Sequence, residues 1–282
     1  MIYIFLSVCC SVFVSVLLKL AKRYKIDAFQ AISWNYPLAA LLTYLFFEPD
    51  IPSYNGAIYP IYIGLGILLP SLFVVLALSI RYTGIVKTDI AQRLSLFIPV
   101  IAAFLVFNES PTVIKLSGIG LAFLAIVLSI PWQNNGENSR SYWVYPLIVF
   151  IGMGIIDILF KQIAKIEQIP FTSSLFIVFI LAFGTSSLYL IYLVIFKDVK
   201  PAAINILCGL ILGIGNFGNI FFYIRAHQTL ANEPSLVFSS MNIGVILLGS
   251  AVGVIVFREQ LSRLNYVGII LALISIVVLT LA

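Results

Sequence analysis

The sequence predicts an all-α integral membrane protein whose ten transmembrane helices form two inverted five-helix repeats. Three observations carry that expectation: many apolar residues with few charges, ten apolar runs of spanning length, and a weak internal repeat. Of the 282 residues, 62% are hydrophobic and 10% charged, against roughly 45–50% and about 25% in soluble domains. The mean hydropathy is +1.12. A bilayer core about 30 Å thick takes roughly 20 apolar residues per helix, so ten helices use about 200 residues. The remainder is too short to hold a soluble domain.

The apolar runs fall at 2–20, 28–47, 57–80, 88–107, 112–131, 141–163, 171–196, 203–225, 234–257 and 262–282. They are continuous instead of alternating with a two-residue period, which excludes a transmembrane β-barrel. Backbone groups in lipid must be satisfied within the segment, so each run is read as a helix. The first run lacks a positive region before it and a small-residue cleavage site after it, and is read as a permanent span. Along it Ser7, Ser11, Ser15 and Lys19 recur every four residues. That stripe suits either a cavity lining or close helix packing, with Lys19 near the end of its span. The second run carries Asn35 and Tyr36, and Trp34 reads as an interfacial anchor. The fourth opens on Asp89, Gln92 and Arg93, an entrance group ahead of Pro99, which should kink the helix.

A hydrophilic stretch, 133–140, separates a first half, 1–132, from a second, 141–282. In the sixth run Asp157 and Lys161 stand four apart and can pair on one face. Asp157 is the one acid well inside an apolar run, which makes it a candidate for proton coupling. Lys161 and its repeat equivalent Lys19 suit gates at two opposite rims. The eighth run is rich in glycine, with Asn216, Asn219 and Tyr223 on one face. Amides both donate and accept hydrogen bonds, so these residues, with Asn35, Tyr36, and Ser239 and Asn242 of the ninth run, are the candidate substrate contacts. The sole histidine, His227, is placed in the connection after the eighth run.

The halves share a pattern. Leu18, Lys19 and Arg23 align with Phe160, Lys161 and Lys165, and Phe107 and Glu109 with Phe257 and Glu259. Gly118, Leu121 and Ala122 then match Gly268, Leu271 and Ala272. Because five is odd, the second half must enter the membrane from the side opposite to the first, which inverts the repeat. Many secondary transporters bind substrate between such repeats.

Composition narrows function further. The net charge is +5, but the basic residues sit between apolar runs, where they set orientation, and nucleic acid is not expected as a partner. Ten basic residues in the odd-numbered connections face two in the even-numbered ones, which favours termini outside. Cys9, Cys10 and Cys208 form no metal-ligand spacing, and neither a metal nor a cofactor is expected. No phosphate-binding glycine loop appears.

The five-plus-five plan, the short acidic turns Asn108-Glu109 and Arg258-Glu259, and the fifth helices with Gly118 and Gly268 resemble the drug/metabolite transporter superfamily, EamA type. The resemblance covers the whole chain. It implies a multi-pass protein, expected in a bacterial cytoplasmic (inner) membrane, that moves a small metabolite such as an amino acid or sugar. It also implies termini inside, opposite to the loop charges. The chain departs from the pattern in having Asn35 or Tyr36 where the second helix often carries arginine. The expected partners are a small-molecule substrate and membrane lipid, with a homodimer left open. The competing readings are a flippase for a lipid-linked carrier, which a lateral opening would favour, and a membrane-embedded enzyme. The enzyme lacks the clustered acids or the base beside a nucleophile that its chemistry needs.

Overall fold

The computed structural model describes residues 1–24, 26–49, 60–83, 85–129, 142, 144–166, 169–197, 199–257 and 263–281. The linker 133–140 and the Arg258-Glu259 turn lie outside them. The described residues form helices α1 (Ile2–Arg23), α2 (Ala28–Phe47), α3 (Pro60–Thr83), α4 (Ile85–Leu94), α5 (Phe97–Leu105) and α6 (Val113–Ser129). The second half adds α7 (Val144–Ala164), α8 (Phe171–Lys197), α9 (Ala203–Thr229), α10 (Pro234–Phe257) and α11 (Arg263–Thr280). Five of them, α3 and α7 to α10, are long and apolar enough to cross a membrane by themselves. The fold is a multi-span, all-α integral membrane bundle.

Side-chain placement inverts that of a soluble protein. Large apolar residues such as Leu105, Val113, Leu188 and Ile255 point outward, each more than 70% exposed, while Ser7, Gln30, Asn205, Asn216, Lys161 and His227 are buried. An exterior of that kind is compatible with acyl chains and not with water.

The fourth apolar run is two helices, not one. Pro99 cannot donate a backbone hydrogen bond, and its ring crowds the carbonyl four residues earlier, that of Ser95. The chain turns there: Ile98 N donates to Ser95 O at 3.0 Å and Ser95 Oγ donates to Gln92 O at 2.6 Å. The expected kink falls at Ser95 and Leu96, a turn between the polar α4 and the apolar α5.

The contacts define two ends. At one, Asp27, before α2, and Gln30 in the first turn of α2 meet Asn205 in the first turn of α9 and the Lys200 carbonyl before it. At the same end Tyr82 stacks on Tyr142 and Tyr145, and Asn265 donates to Leu128 O. At the other, Glu109 between α5 and α6 meets Ser235 of α10, Lys165 lies over Phe107, and Arg225 lies over Tyr3 near the N-terminus. The packing partners also have a regular pattern. α1 packs on α9 and α7 on α3; α2 packs on α9 and α8 on α3; α1 packs on α10 and α7 on α4 and α5; α6 packs on α11 and α2 on α8.

Candidate functional site

Where α1, α3, α4, α7, α9 and α10 converge, they enclose a cavity of about 310 Å³, at the small end of the range for ligand sites. Its walls differ in chemistry. Leu69, Leu72 and Phe73 of α3, Met153 and Ile156 of α7, and Met241 of α10 form an apolar side. Ser11 and Ser15 of α1, Asn216, Asn219 and Tyr223 of α9, Asn242 of α10 and Asp157 of α7 supply polar groups, with Gln92, Arg93 and Ser95 toward the α3–α4 end. Nine polar residues singled out in the sequence thus meet around one space: Ser11, Ser15, Gln92, Arg93, Asp157, Asn216, Asn219, Tyr223 and Asn242. The break at Ser95 is what brings the α4 group to this wall.

Hydrogen bonds set which atoms remain for a ligand. Tyr223 Oη donates to Asp157 Oδ1 at 2.9 Å. Ser7 Oγ lies 2.8 Å from both the backbone carbonyl and Oδ1 of Asn219, donating to that residue. Asn242 Nδ2 donates to Phe238 O at 3.1 Å, leaving its amide oxygen. Asn216 Nδ2 is buried with no partner among the described residues. Among the described residues, Asp157 is the sole carboxylate lining the cavity. The site can therefore accept a proton or cationic donor at one point and hydrogen-bond neutral groups at several others.

Other candidates lie elsewhere. Tyr36 is fully buried away from the cavity, and Ser239 is buried too; among the described residues neither hydroxyl has a hydrogen-bond partner. Asn35 reaches only a small neighbouring void. The side chains of Lys19 and Asp89 lie outside the described residues. Asp157 and Lys161 do not form the intrahelical pair their spacing allows, because each is held by α9 or the segment after it. Asp157 takes the Tyr223 hydroxyl, while the fully buried Lys161 Nζ donates to His227 O at 3.3 Å and Ala231 O at 2.9 Å. An ammonium at the carbonyl end of a helix is favourably placed.

His227 is not in a connection. It sits in the last turn of α9, 1% exposed, with its ring edge-on to Tyr223 at 4.8 Å and against Phe238 at 4.7 Å. Phe160 meets Tyr223 edge-on at 6.2 Å. These rings pack on one another beside the cavity, near the start of α10, with Lys161 next to them. A second group missed in the sequence is Glu109, 5% exposed, which accepts from Ser235 N at 2.9 Å and Ser235 Oγ, and pairs with Lys115 at 3.2 Å. Its carboxylate meets the N-terminus of α10, where free N–H groups attract an anion. Extending the Asn216, Asn219, Tyr223 stripe by one turn would have found His227; nothing in the local pattern pointed to Ser235.

The profile of the EamA-like transporter family matches residues 1–130. The chain belongs to that family. EamA-like transporters fall within the drug/metabolite transporter superfamily, so the cavity belongs to a chain of a transporter family. An uncharacterized protein of Haemophilus influenzae is 43% identical over 279 residues, covering 96% of this chain and 94% of that protein. A crystal structure of another protein superposes with a TM-score of 0.76 over 99% of this chain and 96% of that one. At 14% identity, that likeness bears on the fold alone.

Proposed function

We propose that this EamA-like chain is a secondary transporter that moves a small polar solute across a bacterial inner membrane by alternating access. The moving units are two inverted five-helix repeats, 1–132 and 141–282, joined by the hydrophilic stretch 133–140. One observation carries the proposal. Exchanging each span of one half for its counterpart in the other maps the most extensive helix partnerships onto one another: α1 on α9 becomes α7 on α3, and α6 on α11 returns itself. The mixed polar and apolar cavity lies between the units so related. A bundle with two equivalent packings can expose a central site first at one end and then at the other.

In this reading the solute is held by Asn216, Asn219 and Asn242, and the apolar α3 wall packs its body. Asp157 binds and releases the proton that couples the cycle, with Tyr223 holding the carboxylate toward the cavity. Gln92 and Arg93 line the route in. The rings of Phe160, Tyr223, His227 and Phe238 close the opposite end. The test is uptake of radiolabelled amino acids and sugars by purified chain in proteoliposomes under an imposed pH gradient. Gradient-driven uptake that Asp157→Asn abolishes is expected. Uptake with the same pH dependence in Asp157→Asn removes Asp157 from the cycle, and uptake of no solute under any gradient sinks the transporter reading.

A further inference from the structure

The outward face of α9 ends on a cation. Ile204, Leu207, Ile211 and Ile214 recur every three or four residues and are all exposed, a stripe suited to acyl chains. Three helical turns beyond Ile214, at about 3.6 residues each, stands Arg225. It continues the stripe, on the side of α9 opposite Asn216 and the cavity. Its half-buried guanidinium lies over the Tyr3 ring at 5.8 Å and the Phe171 ring at 5.2 Å. Tyr3 is the second residue of α1 and Phe171 the first of α8, while α9 ends one turn after Arg225. Three helix termini thus hold the charge at the end of the bundle, where membrane spans reach the lipid headgroups.

Packing does not demand a cation at such a corner. Where α7 begins beside the end of α3, Tyr145 stacks on Tyr82 at 5.5 Å and on Tyr142 at 6.4 Å, and rings fill the place. A guanidinium is always ionised in proteins, and a charge at the lipid boundary needs a counter-charge. Among the described residues that of Arg225 meets no carboxylate and no hydrogen-bond acceptor. The two rings fix its plane and leave its donors for a bidentate acceptor, the geometry that phosphate offers. One turn toward the bilayer centre, Phe221 contacts Phe171 at 5.5 Å and Phe222 stacks on Tyr3 at 6.5 Å. Both are half-buried and lead into the exposed stripe. A cation at headgroup depth above an apolar strip is complementary to an amphiphile with an anionic head. We propose that Arg225 is the headgroup site of a bound anionic phospholipid. Its guanidinium takes the phosphodiester, and one acyl chain lies along Phe221, Phe222 and Ile214.

The test uses the purified full chain in a neutral maltoside detergent. The probes are dioleoyl phosphatidylglycerol, dioleoyl phosphatidylcholine, dioleoylglycerol and inorganic phosphate. Phosphatidylglycerol should raise the melting temperature by about 2–4 °C. Phosphatidylcholine, whose phosphate is neutralised by its own choline, should raise it less. Arg225→Gln should weaken phosphatidylglycerol binding by about fivefold, read from the lipid dependence of the melting temperature. Equal affinity in parent and Arg225→Gln would overturn the site. An equal rise with dioleoylglycerol would leave only the acyl contact, and an equal rise with inorganic phosphate would assign a free anion; either result sinks the proposal. Native mass spectrometry of the parent decides the same point without a variant. Phosphatidylglycerol should stay bound at collision energies that strip phosphatidylcholine, and equal loss of the two would count against the site as strongly. None of these readouts involves uptake, so a failure of transport and a failure of the lipid site are distinguishable.

Discussion

Lys161 and Asp157 show how a pair of residues one turn apart can serve separate tasks. Spacing alone suggests mutual neutralisation, but each side chain finds a closer partner across a helix boundary, and the two groups face different regions. Lys161 fastens the end of α9 through two carbonyls. Hydrogen bonds from a charged donor are worth about 1.5–3 kcal/mol each. Lys161→Met keeps the length of the side chain and removes those bonds. Loss of a buried charge offsets much of the cost to global stability, so local opening should be the main effect. Exchange of the backbone amides in the last turn of α9 should then speed up by about tenfold or more, the ratio given by about 1.4 kcal/mol. Equal exchange rates in parent and variant would show that Lys161 is packing and no latch. At Asn219, Asn219→Leu removes an amide from the polar wall and should weaken solute binding by about 1–2 kcal/mol. Isothermal titration measures this, and unchanged affinity would assign that face to packing with Ser7.

Among the helices, legibility followed chemistry that is local in sequence. Runs of apolar residues mark the spans because the bilayer imposes their length, and a stripe such as Asn216, Asn219 and Tyr223 marks the inward face because polar groups avoid lipid. The split of α4 from α5 was half legible. Pro99 announced a disturbance, but its size depended on how Ser95 and Gln92 rearrange their carbonyls. The capture of Glu109 by Ser235 joins residues 126 apart, and neither local pattern contains the other. The end of α9 was misjudged for a related reason. His227 and its neighbours look hydrophilic enough for a loop, yet buried rings and the Lys161 ammonium prolong the helix. The glycines of α9 act at this scale. A Cβ on Gly209 would come to 2.4 Å from the Ala31 carbonyl oxygen, a backbone atom with no rotamer to yield. Gly209→Ala should therefore push α2 and α9 apart and cost about 1–3 kcal/mol, read as a lower melting temperature. A melting temperature at or above the parent's would show that the close approach is dispensable.

For the molecule as a whole, the proposed cycle opens both ends of the cavity in turn, with the ring-packed end beside the start of α10 as the one held closed. Near that closed end the two halves touch where Lys165, after α7, lies over Phe107, after α5, at 5.3 Å. Neither residue lines the cavity, so a tether there constrains movement without altering the solute's contacts. The test starts from a chain with Cys9, Cys10 and Cys208 replaced, carries Phe107→Cys and Lys165→Cys, and joins them with a short reducible bifunctional reagent. If the halves must separate at this end once per cycle, uptake into proteoliposomes stops on linking and returns on reduction, while solute binding to the linked protein is unchanged. The two readouts part because binding needs only the present cavity, whereas net movement needs its symmetry-related packing as well. A linked protein that still carries solute at the parent's rate would mean the closed end never opens, and the symmetry of the packing would then have no role in transport.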